Sequence, residues 1–218
     1  MFSLYPVSQR IIRRISEIPQ RGLPMLRLTP TTFDREYGVE TTKLVWLTNP
    51  FAKNFAHGVR YEACNPEACK WAIGAAAIDT REFFFVDMGC GKGRPLIIAS
   101  RYEFSQLIGV DYSRRLCRRA SRNLKICAVD ESRFRIVNLD AAEFEFPDHN
   151  LFVYFFNPFD REILTRVLQN LEAVACRFRV IVAFEYPNRE ILESCHWLRK
   201  HSEGPNILLL TSDPAIAA

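Results

Sequence analysis

Val86-Asp87-Met88-Gly89-Cys90-Gly91-Lys92-Gly93-Arg94 is the stretch on which the reading of this chain turns. The run that leads into it, Phe83 to Met88, is apolar and aromatic except for Asp87. That is the pattern of a strand buried on both faces. Glycines at every second position end the strand, and Pro95, Leu96, Ile97, Ile98 and Ala99 then begin a helix. A strand, a glycine turn and a helix form the opening of an α/β unit. In such a unit the bare backbone can approach a ligand closely, and the helix N-terminus favours a carboxylate or phosphate.

Downstream, the unit repeats. Gln106 to Val110 reads as a second strand stopping at Asp111, followed by a helix from Ser113 to about Cys127 that buries Leu116, Ala120 and Leu124. Phe134 to Leu139 is a third strand, stopping at Asp140, and Leu151 to Phe156 a fourth, stopping at Asn157-Pro158-Phe159. A helix over 160–175 leads to a fifth strand, Phe178 to Phe184. A short helix at 188–195 and strands near 196–201 and 206–211 complete the pattern. Repeated strand–helix units with two-sided apolar strands predict an α/β fold with a doubly wound, mostly parallel, seven-stranded sheet.

Upstream, the pattern loosens. A helix is expected over Pro66 to Ala77, with Pro66 in its first turn. Residues 19–65, rich in Pro, Thr, Asn and Tyr, read as irregular, and residues 8–18 as a short amphipathic helix built on Ile11, Ile12, Ile15 and Ile18. The expected organisation is an N-terminal extension over 1–65 and a ligand-binding domain over 66–218.

Composition narrows the classes. The 218 residues are 48% hydrophobic and 25% charged, with 29 Lys and Arg against 25 Asp and Glu, a formal net charge of +4. Disordered, collagen-like and coiled-coil chains are excluded. The longest apolar runs, such as Leu151 to Phe156, fall far short of the 18 or more residues of a membrane helix. The seven cysteines (Cys64, Cys69, Cys90, Cys117, Cys127, Cys176 and Cys195) contain no C-x-x-C pair and form no disulfide or zinc framework. His57, His196 and His201 lack metal-ligand spacing. A cytoplasmic protein with no metal and no membrane partner is expected. Arg114, Arg115, Arg118, Arg119, Arg122 and Lys125 decorate the helix after Asp111 without interleaved aromatics; the expectation is a solvated face and no nucleic-acid partner.

Four successive strands deliver a small loop or a polar side chain to one sheet edge, where ligands of open α/β sheets bind. A dinucleotide fingerprint needs its third glycine five residues after the first, whereas Gly93 comes four after Gly89. Asp87, two residues before Gly89, would repel a pyrophosphate and tolerate a ligand with ammonium and sulfonium groups. A Walker loop is excluded too, since Gly91-Lys92-Gly93 lacks both the hydroxyl and the gap.

With these residues in place, the chain resembles the class I S-adenosylmethionine-dependent methyltransferases, whose Rossmann-like methyltransferase fold it would share. Val86 to Arg94 looks like their first motif, Gly109-Val110-Asp111-Tyr112-Ser113 like the acidic motif of the second strand, and Asn138-Leu139-Asp140-Ala141-Ala142 like that of the third. The fuller string, with His57-Gly58-Val59-Arg60-Tyr61-Glu62 and Phe156-Asn157-Pro158-Phe159, is similar to bacterial methyltransferase-domain proteins, some loosely similar to Dot1-like protein-lysine methyltransferases.

The resemblance implies S-adenosyl-L-methionine as cofactor. Gly89, Cys90, Gly91 and Gly93 would wrap its methionine part, and Asp87 would hold the ammonium. Asp111, with Tyr112 beside it, would accept from the ribose hydroxyls. Asp140 and Ala141 would meet adenine, and Tyr61 would close the pocket. Asn157, Pro158 and Phe159 would form the catalytic segment that orients an amino nitrogen. The implied acceptor is an amino group, possibly of a protein lysine; the alternatives are a small-molecule N- or O-acceptor, a cofactor-binding protein without catalysis, and an RNA methyltransferase or RNA-binding module using the Arg-rich faces. Read singly, an Asp at a strand end is a cap or turn residue, and Asn157-Pro158 a simple turn closed by the Asp160 cap.

Overall fold

The computed structural model describes residues 31–42, 61–156 and 159–212. The amphipathic helix expected at 8–18, and Asn157 and Pro158, lie outside the described residues.

Seven strands form one sheet: β1 (Phe84–Met88), β2 (Gln106–Asp111), β3 (Phe134–Asn138), β4 (Leu151–Phe156), β5 (Val180–Glu185), β6 (Leu198–Gly204) and β7 (Ile207–Ser212). Their spatial order is β3-β2-β1-β4-β5-β7-β6. Strands β1 to β5 run parallel, and β7 pairs antiparallel with both β5 and β6. The chain starts at the centre, winds outward through β2 and β3, then crosses back to β4 on the other side of β1. That reversal places the switch point, and with it a ligand crevice, at the carboxyl ends of β1 and β4.

Among the described residues six helices flank the sheet: α1 (Thr32–Tyr37), α2 (Pro66–Ala75), α3 (Arg94–Ala99), α4 (Arg114–Ile126), α5 (Arg161–Ala175) and α6 (Arg189–Glu193). On one face Phe85, Phe152 and Tyr154 pack against Ile73 of α2, Ile97 of α3 and Leu124 of α4. On the other, Val86, Val153 and Val182 meet Ile163, Val167 and Leu171 of α5. The central strands are therefore buried on both sides, which is why they read as unbroken apolar runs. Each fully buried Leu, Ile or Phe contributes about 1.5–3 kcal/mol of transfer free energy. Side-chain caps start the helices: Asn65 for α2, Ser113 for α4, Asp160 for α5 and Asn188 for α6.

The extension is less irregular than its composition predicts. Of its described residues, 31–42 and 61–65, the first stretch carries α1, capped by Thr31 and closed by Gly38 at φ +66°. Phe33 stacks on Tyr37 within it, and Phe33 is part of the core. The fifth strand begins at Val180 rather than Phe178, because the amide of Phe178 is still bonded to the carbonyl of Val174 at the end of α5.

Candidate active site

The glycine loop leans on the second strand. The amides of Gly89 and Cys90 both donate to the carbonyl of Val110, at 2.9 Å each, and Gly93 N–H donates to Cys90 O at 2.7 Å. Gly91, at φ +52°, lies under the ring of Tyr61, so a Cβ there would sit 2.2 Å from Tyr61 Cε2. Only glycine combines that backbone conformation with that contact. Gly109 on β2 is also required: a Cβ would lie 2.7 Å from Leu96 Cδ1 and 2.9 Å from Cys90 Sγ. The Cys90 side chain is thus spent on packing behind the loop, and burial pushes its thiol well above the usual range. It is a filler, not a nucleophile.

Three strand ends present carboxylates along one edge. Asp87, at the end of β1, is 2% exposed, and its Oδ2 has no hydrogen-bond partner among the described residues. Burial, reinforced by the Asp111 charge, raises its pKa well above the ordinary value. Asp111 ends β2; its Oδ2 accepts from Gly91 N–H at 2.9 Å and its Oδ1 from Ser113 N–H at 2.8 Å. Burial outweighs these two bonds and lifts its pKa to about 6. The adjacent Tyr112 hydroxyl is buried without a partner among the described residues. Asp140, after β3, accepts from Ala142 N–H at 3.0 Å and caps the turn Ala141–Glu143, whose Ala141 is buried.

An orphaned, buried carboxylate oxygen is costly unless a cation or donor joins it. The donor set fits S-adenosylmethionine: the free oxygen of Asp87 matches its ammonium, and Asp111 retains lone pairs for ribose hydroxyls after its two amide bonds.

Lys92, in the loop, and Arg94, the first residue of α3, make contacts that their residue types alone did not announce. Arg94 is 5% exposed and spends its guanidinium on the extension and its neighbour. Nε donates to Thr41 Oγ1 at 2.8 Å, Nη1 to Cys64 O at 2.8 Å and Nη2 to Thr42 Oγ1 at 2.9 Å, with Asp34 Oδ1 at 3.7 Å. Asp34 in turn accepts from the amides of Thr41 and Thr42, each at 3.0 Å. Lys92 Nζ pairs with Glu40 at 2.9 Å. Asn123 Nδ2 donates to the carbonyls of Lys92, at 3.0 Å, and Glu40, at 3.2 Å. The Tyr61 hydroxyl donates to Thr41 O at 2.5 Å. Residues 31–42 are therefore strapped across the loop and hold Tyr61 on Gly91. The signal available in the sequence was two cations within the glycine loop and two acids, Asp34 and Glu40, upstream.

At the acceptor side, Phe159 packs half-buried against the cluster on the α5 face. Glu185, the last residue of β5, pairs in register with Phe156 and is 1% exposed. It accepts from the Tyr154 hydroxyl at 2.6 Å and from Asn65 N–H at 3.4 Å, and burial raises its pKa. Tyr186 follows at φ +57°, 54% exposed, its ring 6.0 Å from that of Phe156. It lines a groove with Asn188, Gly204 and Asn206. Neither Glu185 nor Tyr186 stood out in the sequence.

Comparison with known proteins follows the same lines. Residues 85–186 match the family model described as methyltransferase domain. Over these residues the chain is similar to methyltransferase domains. Among solved structures, the ribosomal protein L11 methylase from Lactobacillus delbrueckii subsp. bulgaricus superposes with TM-score 0.51 at 14% identity, over 67% of this chain and 76% of that one. The yhhF protein from Escherichia coli, provisionally described as a methyltransferase, gives 0.52 at 17%, over 70% and 89%. TrmN from Thermus thermophilus gives 0.53 at 14%, over 69% and 49%. At these identities the likeness is one of fold. No curated protein sequence matches the chain. The methyltransferase fold thus joins the seven-stranded sheet to the glycine loop at its switch point.

Proposed function

We propose that this methyltransferase transfers the methyl group of S-adenosylmethionine to an amino nitrogen, with residues 66–218 as the cofactor-binding domain and residues 31–42 and 61–65 completing the pocket. The Asp87 oxygen, buried and without a partner among the described residues, carries this reading: an ammonium would compensate its charge.

When bound, S-adenosylmethionine supplies an electrophilic methyl group on a sulfonium. Asp87 would hold the ammonium and Asp111 the two ribose hydroxyls, a charge-assisted pair of bonds. Asp140, with the backbone beside Ala141, would accept from the adenine amino group, and Tyr61 would keep water off the methionine part. Asn157 and the carbonyl of Pro158 would accept two bonds from the incoming nitrogen, aiming its neutral lone pair in line with the methyl, while Phe159 faces the forming cation. The nitrogen forms one bond to carbon as the carbon–sulfur bond breaks, and its surplus proton leaves to solvent. Orientation supplies most of the rate, so no strong acid or base is needed. A protein lysine, long and uncharged only when desolvated, is the acceptor this chemistry suits first. A small-molecule N- or O-acceptor is the second reading, favoured by the groove beside the exposed Tyr186.

Calorimetric titration with S-adenosylmethionine and S-adenosylhomocysteine tests the site. Micromolar binding that Asp111→Ala abolishes in a folded protein is expected, whereas near-normal affinity in that variant would refute the assignment. Asn157→Ala should bind cofactor normally and lose transfer of labelled methyl into lysate protein. Unchanged transfer would remove the amino-acceptor mechanism, and cofactor binding with no transfer to any acceptor would leave a binding protein.

A further inference from the structure

The helix that follows Asp111 breaks three local rules at once. Along its 13 residues, α4 carries five arginines and Lys125 and no acid. Arg114 and Arg115 stand in its first turn, at the positive end of the helix dipole, where acids are favoured. Arg114 and Arg118, Arg115 and Arg119, and Arg118 and Arg122 are spaced four apart, so like charges face each other. Arg114, Arg115, Arg118 and Arg122 are exposed, and none of them has an ion pair among the described residues. The six cations exceed the net charge of the whole chain, +4, which leaves the rest of the molecule net acidic. The fold does not need this arrangement, because Leu116, Ala120 and Leu124 anchor the opposite side of α4 in the core. Local rules broken with no structural return mark a functional surface.

We propose that the outer face of α4 docks the phosphate backbone of single-stranded RNA. Arg115, Arg118, Arg122 and Lys125, the last paired with Glu131 at 2.7 Å, follow one stripe about 15 Å long, at 1.5 Å rise per residue. Beside it runs a groove lined by Arg114, Arg118, Arg122 and by Glu40, whose carboxylate is paired with Lys92 and Arg119. Guanidinium forks match phosphate oxygens in two-point contacts, and arginine rather than lysine dominates the stripe. Its cations lie along a single line, which suits tracking the backbone of one strand. The same burial leaves no apolar face to insert into a lipid surface. Without an aromatic platform on the stripe, the contacts read phosphate and not base, so binding is independent of sequence. Single strands with unstacked bases are chiefly RNA. The stripe begins two residues past Ser113, next to the ribose-binding Asp111, so a docked strand passes the mouth of the pocket. This inference concerns what binds the face and does not depend on which nitrogen is methylated.

The test is fluorescence anisotropy of the full chain with a labelled 20-nucleotide RNA of mixed sequence, across a salt series. Each phosphate contacted contributes about −0.7 to the slope of log affinity on log salt, so three to four contacts predict a slope of roughly −2 to −3. The double variant Arg118→Glu/Arg122→Glu should weaken RNA binding at least tenfold and flatten the slope. Its melting temperature should hold or rise, since it removes the like-charge pairs; a merely structural stripe would move melting and not RNA affinity. Absence of salt-dependent binding, or full binding by the variant, would overturn the proposal. So would equal or tighter binding to duplex DNA of the same length, to poly-glutamate, or to vesicles of phosphatidylserine and phosphatidylcholine, each of which points to that other partner. Cofactor titration of the same variant should be unchanged, which separates failure here from failure of the methyltransferase reading.

Discussion

Asp87 and Asp111 sit one strand apart in a buried edge, and each is destabilising while ionised and alone. Asp111 holds its proton up to about pH 6 in the folded chain, against about 3.9 unfolded. Between those values the folded state binds more protons than the unfolded one, so stability falls as pH rises through the window. At about 1.4 kcal/mol per unit of pKa, Asp111 alone costs roughly 3 kcal/mol above pH 6. Asp87 moves in the same direction and extends the loss to higher pH. Urea unfolding of the cofactor-free protein should therefore give higher stability near pH 5 than at pH 7.5; a flat or rising profile would contradict the buried carboxylates. Cofactor binding at neutral pH should release protons as the ammonium draws Asp87 into its charged form. Calorimetry in buffers of different ionisation enthalpy measures that release. Asp87→Asn should stabilise the free protein at pH 7.5 and weaken cofactor binding at least tenfold. Steric demands are equally local. Gly109→Ala meets Leu96, Cys90 and Ile136 at 2.7 to 2.9 Å, so thermal or urea melts should show a loss of about 1–3 kcal/mol from overpacking.

At the scale of elements, the strap of residues 31–42 is tied down by Arg94 of the neighbouring helix together with Lys92, Asn123 and Tyr61. Arg94 satisfies its fork with two hydroxyls, a carbonyl and Asp34, a geometry that a lysine point charge cannot reproduce. Arg94→Lys should lower the unfolding free energy by about 2–4 kcal/mol, since a broken buried network leaves groups unpaired. It should also loosen the strap, read as faster amide exchange at Thr41 and Thr42. Glu40→Gln should do less, because Glu40 is half exposed and solvent screens its pair with Lys92. Elements with one dominant period were legible beforehand: the strands of Val86, Val153 and Val182 from their apolar runs, and α4 and α5 from recurrence at four residues. Helix α1 was not. Six residues give too short a window for a period, and its stability comes from Phe33 and Asp34 meeting Arg94, 60 residues away along the chain.

For the molecule as a whole, the sequence alone determined the fold class, the winding of alternating strands and helices, and the strand ends that gather Asp87, Asp111 and Asp140. Periodicity and turn chemistry are written in neighbouring residues, and a switch point follows from them once the units are parallel. Only the tertiary structure decided which oxygen of these acids is left without a partner, that Cys90 turns inward behind Gly109, and that Tyr61 rests on Gly91. It also decided that Arg114, Arg115, Arg118 and Arg122 of α4 face outward with no ion pair among the described residues, while its apolar side is spent on the core. These facts depend on contacts between residues far apart in sequence, whose geometry is set by packing density and by the desolvation of charge, and neither quantity has a period that a linear chain can display.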